Sequence, residues 1–177
     1  SSGIIARSQG GSGGKSGDSR SQVIAVGGSA LDTLISSKVG WYGRSATGGD
    51  AAGVVVNNGA VGNPSILVSH GNNSGLIIAQ SIGGNGGDGG NAYSSSLQFS
   101  IPQITGQIGV GLSIAGDGGV AGNASTVTVE SNATLVSDGN NSAAITAQSL
   151  GGRGGNGGDA SVKNNKNGLN RTAAVSG

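Results

Sequence analysis

The chain has 177 residues, of which 39 are Gly, 27 Ser and 16 Asn, so almost half of it is small or turn-forming. Two Pro cannot sustain a collagen triple helix, and so much Gly, at up to about 1 kcal/mol per residue relative to Ala, argues against helical bundles. A net charge of +1 with 10% charged residues fits neither a highly charged disordered chain nor the basic footprint of a nucleic-acid binder, and the absence of Cys removes disulfides and thiolate metal sites.

Ser1 to Asp18 has no basic-then-apolar pattern of a signal peptide, and no apolar run approaches the roughly 20 residues that span a bilayer. An exported protein would have lost its address or carry it outside this chain. The first block is Ser2-Gly3-Ile4-Ile5-Ala6-Arg7-Ser8-Gln9-Gly10-Gly11. It recurs as Leu76-Ile77-Ile78-Ala79-Gln80-Ser81-Ile82-Gly83-Gly84 and as Ala144-Ile145-Thr146-Ala147-Gln148-Ser149-Leu150-Gly151-Gly152, which sets a repeat of about 70 residues. Each block runs into Gly-Gly-X triplets at 10–18, 83–91 and 151–159. A flexible linker needs no period of three. An extended left-handed helix has three residues per turn, so every X side chain would share one face while the glycines let backbones approach; ordered tracts are expected, like polyglycine II.

Trp41-Tyr42, between Gly40 and Gly43, is the densest aromatic spot; it suits a core plug or end cap, or else a contact with carbohydrate or a partner. Val54-Val55-Val56-Asn57-Asn58-Gly59-Ala60 matches Val127-Thr128-Val129-Glu130-Ser131-Asn132-Ala133, with a five-residue insertion around Val61 to Ser65, Pro64 included. The turns His70-Gly71-Asn72-Asn73-Ser74 and Asp138-Gly139-Asn140-Asn141-Ser142 also correspond, and their Asn pairs suit left-handed backbone and a ladder between repeats. In the third copy, strands are expected at Val127 to Glu130, Thr134 to Ser137 and Ala143 to Leu150, with Val127 and Val129 facing inward and Thr128 and Glu130 outward. The stacking expected is Ile78 with Ile5 and with Thr146 or its neighbours, and Val129 with Val56, all inward.

These elements describe an all-β parallel β-solenoid (β-helix) with Gly-rich loops. The whole of 1–177 reads as one array of about two and a half repeats, with blocks at 1–18, 54–92 and 127–160. Typical repeat lengths suggest about 25 to 35 residues per coil.

The Ala-Gln-Ser-Ile-Gly-Gly run at Ala79 and its partner at Ala147 resemble the signature of Gly-rich passenger regions in large autotransporter-type surface proteins of Gram-negative bacteria. Arg7 and Gln9 in the first copy depart from that signature, and Leu97 to Thr105 with Pro102 fits no part of it. The resemblance implies an extracellular β-helical stalk or adhesin, in cell attachment or a biofilm matrix, ahead of an outer-membrane barrel. Its partners would be neighbouring repeats or copies of itself stacked head-to-tail, since neither end of the chain looks like a cap. The alternative is a binding module in which Gly-rich loops or the Trp41 region take a host or matrix glycan, a receptor or ice.

Chemistry is poorly provided for. Gly13-Gly14-Lys15-Ser16 has the letters of a phosphate loop but no helical pattern after it. Gly154-Gly155-Asn156-Gly157-Gly158-Asp159 fits the start of a calcium nonapeptide, yet the large apolar position is Ser161, and Asp88 and Asp159 occupy different columns. His70 stands where the next repeat has Asp138, a solvated turn. Asp18, Asp32, Asp50, Asp88, Asp117, Asp138, Asp159 and Glu130 are dispersed and fix no acid–base pair. No catalytic, cofactor or metal residue is assigned, calcium being the one ion weighed, and the expectation is a structural protein and not an enzyme.

Overall fold

The computed structural model describes residues 3–26, 36–40, 44–62, 65–99, 109–165 and 170–176. Among them, every regular element is a β-strand and every strand pairing is parallel. The chain divides into two compact units, Ser1–Ser12 with Thr47–Asn85 and Ala121–Arg153, and Gly13–Ala46 with Gly86–Val120 and Gly154–Gly177. The boundaries fall inside Gly-rich stretches, so each repeat contributes to both units.

The first unit holds β1 (Ile4–Gln9), β4 (Val54–Asn58), β5 (Ile66–Ser69), β6 (Ile77–Ile82), β9 (Val127–Ser131), β10 (Thr134–Ser137) and β11 (Ile145–Leu150). They form the sheets β1-β6-β11, β4-β9 and β5-β10. Each strand lies beside its own copy one repeat away: Ala6 pairs with Ala79 and Ala79 with Ala147, Val56 with Val129, and Val68 with Val136. Hydrogen-bonded partners in this stack are 73 residues apart as far as the β4–β9 pair and 68 from the β5–β10 pair on. Neighbouring strands of a sheet are thus a whole repeat of about 70 residues apart, not the 25 to 35 expected. The larger spacing arises because the glycine tracts, which carry their own backbone hydrogen bonds, lie between one strand and its paired copy. Between β4 and β5 the pairing offset drops from that of Val54 with Val127 to that of Ile66 with Thr134, which places the five-residue insertion between these two strands. Gly59 (φ 81°) and Gly62 (φ 87°) take the left-handed turns there, a region where a Cβ would be strained.

Alternation decides the core. Val54 and Val56 are buried while Val55 is exposed; they pack with Ile77 and Ala79, against Ile4, Ala6, Val127, Val129 and Leu135. Thr128 and Glu130 face solvent, as their alternation with Val127 and Val129 predicts. The Ile5-Ile78-Thr146 row does stack in register, but it is the outward row: Ile5 is 65% exposed, and the inward row is Ile4-Ile77-Ile145. Leu76-Ile77-Ile78 is an unbroken apolar run, so period two cannot tell which of its members turns inward.

The second unit holds β2 (Ser19–Val26), β3 (Ser36–Gly40), β7 (Ala92–Phe99), β8 (Gly109–Ile114), β12 (Ala160–Asn165) and β13 (Asn170–Val175), in the sheets β2-β7-β12 and β3-β8-β13. Its buried side chains, among those described, are small. Ala92, Ser94, Ser113 and Ala115 are all nearly inaccessible, and the Ser113 hydroxyl donates to the Ala92 carbonyl at 3.1 Å.

Candidate assembly surface

Three devices bind one repeat to the next, and each is polar. The first is the lattice of glycine tracts. In the first unit a chain of backbone bonds crosses five segments: Gly49 N–H donates to Gly11 O, Gly84 to Gly49, Gly122 to Gly84 and Gly152 to Gly122, all at 2.8–3.0 Å. In the second unit the same row recurs three residues on: Ala46 donates to Gly14, Gly87 to Ala46, Gly119 to Gly87 and Gly155 to Gly119. A further row joins Gly116 to Gly90 and Gly158 to Gly116. The numbers rise along 10–18, 83–91 and 151–159 and fall along the segments between them, so outgoing and returning tracts run antiparallel, bonded at every third residue. That is the period of the Gly-Gly-X triplets. The X residues Ser12, Lys15, Asn85, Asp88, Arg153 and Asn156 are solvent-exposed.

The second device is a side-chain ladder with one polarity. An Asn or Asp oxygen in one repeat accepts the backbone N–H of the matching residue in the next. In the first unit Asp50 Oδ1 receives Asn123 N–H at 2.7 Å, Asn85 receives Arg153 at 2.9 Å and Asn72 receives Asn140 at 2.9 Å. In the second unit Asp18 receives Asn91 at 2.9 Å, Asp88 receives Asn156 at 2.9 Å and Asn91 receives Asp159 at 2.8 Å. The Asn91 N–H, helped by Lys15 with its Nζ 3.7 Å away, holds the Asp18 carboxyl below its ordinary range. Asn73 and Asn141 both sit at φ 54°, the left-handed geometry expected of these turns.

The third device explains the repeated Ser of the Ala-Gln-Ser blocks. Ser8 Oγ accepts Ala52 N–H at 2.9 Å, Ser81 Oγ donates to Ala52 O at 3.0 Å and accepts Ser125 N–H at 2.9 Å, and Ser149 Oγ donates to Ser125 O at 2.9 Å. The result is a zigzag of hydroxyls and peptides up the first unit. Beside it Gln80 Nε2 donates to Gln148 Oε1 at 2.6 Å. In all three blocks Ser ties the strand to the segment opposite, while Gln ladders outward between the second and third blocks, the first having Arg7 in its place. The sequence signals the repeat of this Ser but not its partners, because residues 52 and 125 carry no motif.

Of the residues weighed for chemistry, Asp18, Asp50, Asp88 and Asp159 lie in the ladder and the others lie elsewhere. His70 Nδ1 lies 2.6 Å from Asp138 Oδ2, both side chains exposed, a bond between equivalent turns. Glu130 faces solvent, and the Asp117 carbonyl receives the Ser45 hydroxyl at 2.6 Å. Lys15 and Ser16 lie in an extended tract that leads into β2, a strand. Among the described residues no three His, Cys, Asp or Glu side chains gather to hold a metal ion. Asp32, Trp41, Tyr42, Pro64 and Pro102 lie outside the described residues.

Equivalent positions differ in burial from one repeat to the next. Ile77 is 0% exposed in the middle repeat, whereas Ile145, at the same register in the last, is 42% exposed. A Cβ built on Gly84 would lie 2.0 Å from Gly11 O and one on Gly152 2.0 Å from Gly84 O, yet one on Gly11 would meet nothing within 4 Å. Comparison of the chain with family models, with curated proteins and with solved structures finds no match.

Proposed function

We propose that this chain is a segment of a parallel β-solenoid with polyglycine-II-like tracts, and that its work is mechanical: it extends axially as part of a bacterial surface fibre or adhesin. The observation that carries the reading is the unbroken register from repeat to repeat, in which every strand, glycine tract and side-chain ladder meets its own copy. Such an array grows by adding repeats without changing its contacts, which suits a stalk. Bonds between repeats run mostly through backbone groups, to which the Asn and Asp side chains at the X positions add their ladder.

The resemblance of Ala79-Gln80-Ser81-Ile82-Gly83-Gly84 to autotransporter passenger repeats supports a place outside the cell. Two measurements test the reading. Oriented fibres of the purified chain should give a meridional reflection at the strand spacing of about 4.7–4.9 Å. Antibody against the chain should label intact cells that produce it, and the label should vanish on mild external proteolysis. Labelling only after lysis would overturn the surface assignment, and a missing strand reflection would overturn the solenoid.

A further inference from the structure

The sheet β2-β7-β12 of the second unit turns every second residue outward. Its pairing sets Arg20 beside Tyr93 and Tyr93 beside Ser161; two residues on, it sets Gln22 beside Ser95 and Ser95 beside Lys163. Ser94, between the two rows, is buried, so both rows share the outer face. Arg20, Gln22, Tyr93 and Lys163 are exposed. Tyr93 shows that this face is lateral: a strand is hydrogen-bonded on either side of it, yet it is 38% exposed. Stacking of repeats covers the backbone edges of these strands and leaves the face open.

The face has one sign of charge. Its six positions hold two cations and no carboxylate. The nearest acidic residues in sequence, Asp18 and Asp159, stand in the ladder row before the strands, where Lys15 and the Asn91 N–H engage Asp18. Among the described residues neither Arg20 nor Lys163 forms an ion pair. The Arg20 guanidinium lies over the Tyr93 ring, 5.6 Å from its centroid, a contact that holds the cation in place without consuming its N–H donors. Ser161, the neighbour on the other side of Tyr93, is small. Two strand steps of about 4.8 Å and one two-residue step of about 6.6 Å put Arg20 and Lys163 about 12 Å apart at their Cα atoms, too far for one small anion to bridge. Single-stranded nucleic acid is the poorer match, because it takes a row of aromatic rings along a basic groove, and here one ring already carries a cation in a chain of net charge +1.

We propose that this face binds an acidic polysaccharide, a polymer of uronic acids lying across the three strands. Arg20 and Lys163 hold the carboxylates of separate sugars. Tyr93 packs against the C–H face of a sugar ring on the side of Ser161, and Gln22 hydrogen-bonds sugar hydroxyls. This goes beyond the mechanical role: polymer binding stands if surface labelling fails, and surface labelling stands if no polymer binds.

The test is titration of the purified chain with polygalacturonate at low salt, with dextran as the neutral polymer and single-stranded DNA as the other polyanion. Polygalacturonate should bind, and dextran and DNA should bind at least about tenfold more weakly. Arg20→Gln/Lys163→Gln should weaken polygalacturonate at least about tenfold, as expected for the loss of charged hydrogen bonds. Arg7→Gln/Arg153→Gln, which removes the same charge from exposed positions of the first unit, should stay within about twofold of the wild type. Tyr93→Ser should weaken binding about three- to tenfold, while Tyr93→Phe, which keeps the ring, restores it. All these side chains are exposed, so circular dichroism of the variants should match the wild type. No binding of polygalacturonate, equal losses in the two charge-removing doubles, an unaffected Tyr93→Ser, or DNA or dextran bound as tightly would each overturn the proposal.

Discussion

Replacing Gly84 with Ala would place a methyl carbon 2.0 Å from the carbonyl oxygen of Gly11 and 2.7 Å from its carbon, where ordinary contact begins at 3.4 Å. The tracts must separate by about 1.4 Å to relieve it, a displacement that carries a 2.8–2.9 Å hydrogen bond beyond useful geometry. The two bonds that meet at the returning tract are at stake, Gly49 to Gly11 and Gly84 to Gly49. At about 0.5–1.5 kcal/mol each they sum to about 1–3 kcal/mol. Against this stands the smaller conformational entropy of the unfolded Ala chain, about 0.4–1 kcal/mol. A net loss of about 1–2 kcal/mol should lower the melting temperature by about 2–8 °C for a chain of this size. Gly11→Ala is the matched control: it meets nothing within 4 Å, so only the entropy term acts and the melting temperature should rise by about 1–4 °C. Urea and thermal melts by circular dichroism, at concentrations low enough to keep copies apart, give both signs. If Gly84→Ala were as stable as the wild type, or Gly11→Ala lost as much as Gly84→Ala, the steric account of the glycine columns would be refuted.

Ile77→Ala should cost about 2–5 kcal/mol, because the side chain is wholly buried, whereas Ile5→Ala on the outward row of the same sheet should stay within about 0.5 kcal/mol of the wild type; urea midpoints compare them. Ser81→Ala leaves the Ser125 N–H and the Ala52 carbonyl without their shared hydroxyl, and a loss of about 1–3 kcal/mol in the same assay is expected. The Asp18 carboxyl is held low in the folded chain by the Asn91 N–H and Lys15, so its contribution is complete above the unfolded value of about 3.9 and disappears as pH falls through the lower folded one. Acid titration of stability should therefore be shallower below about pH 4 in Asp18→Asn than in the wild type, and identical slopes would remove Asp18 from the ladder's energetics.

Local chemistry was legible where one residue type had one structural use. Val127 and Val129 alternate with polar neighbours and face the core; Asn73 and Asn141 occupy left-handed turns because their side chains tolerate that geometry; the triplet period of the tracts is the period of their hydrogen bonds. Ile5 and Ile78 face outward against expectation because three apolar residues in a row erase the alternation, and only packing against Val54 and Val56 chooses the inward one. The spacing between paired strands escapes the sequence for a related reason: tracts 10–18 and 83–91 contain no aliphatic pattern, yet they are ordered by backbone bonds that no side chain announces. The partners of Ser8, Ser81 and Ser149 were invisible because Ala52 and Ser125 contribute only their peptide groups.

The glycine lattice also sets how the protein responds to temperature. Its rows, such as Gly11, Gly49, Gly84, Gly122 and Gly152, gain their cohesion from peptide groups meeting each other and bury almost no hydrocarbon. Exposing apolar surface raises the heat capacity of unfolding by about 0.45 cal/K/mol/Å², and exposing polar surface lowers it by about 0.26. Melting the tracts therefore subtracts from the small increment contributed by Ile77, Val54 and Val56. The tracts thus flatten the free-energy curve relative to an aliphatic core of the same area and move the cold-denaturation limit to lower temperature.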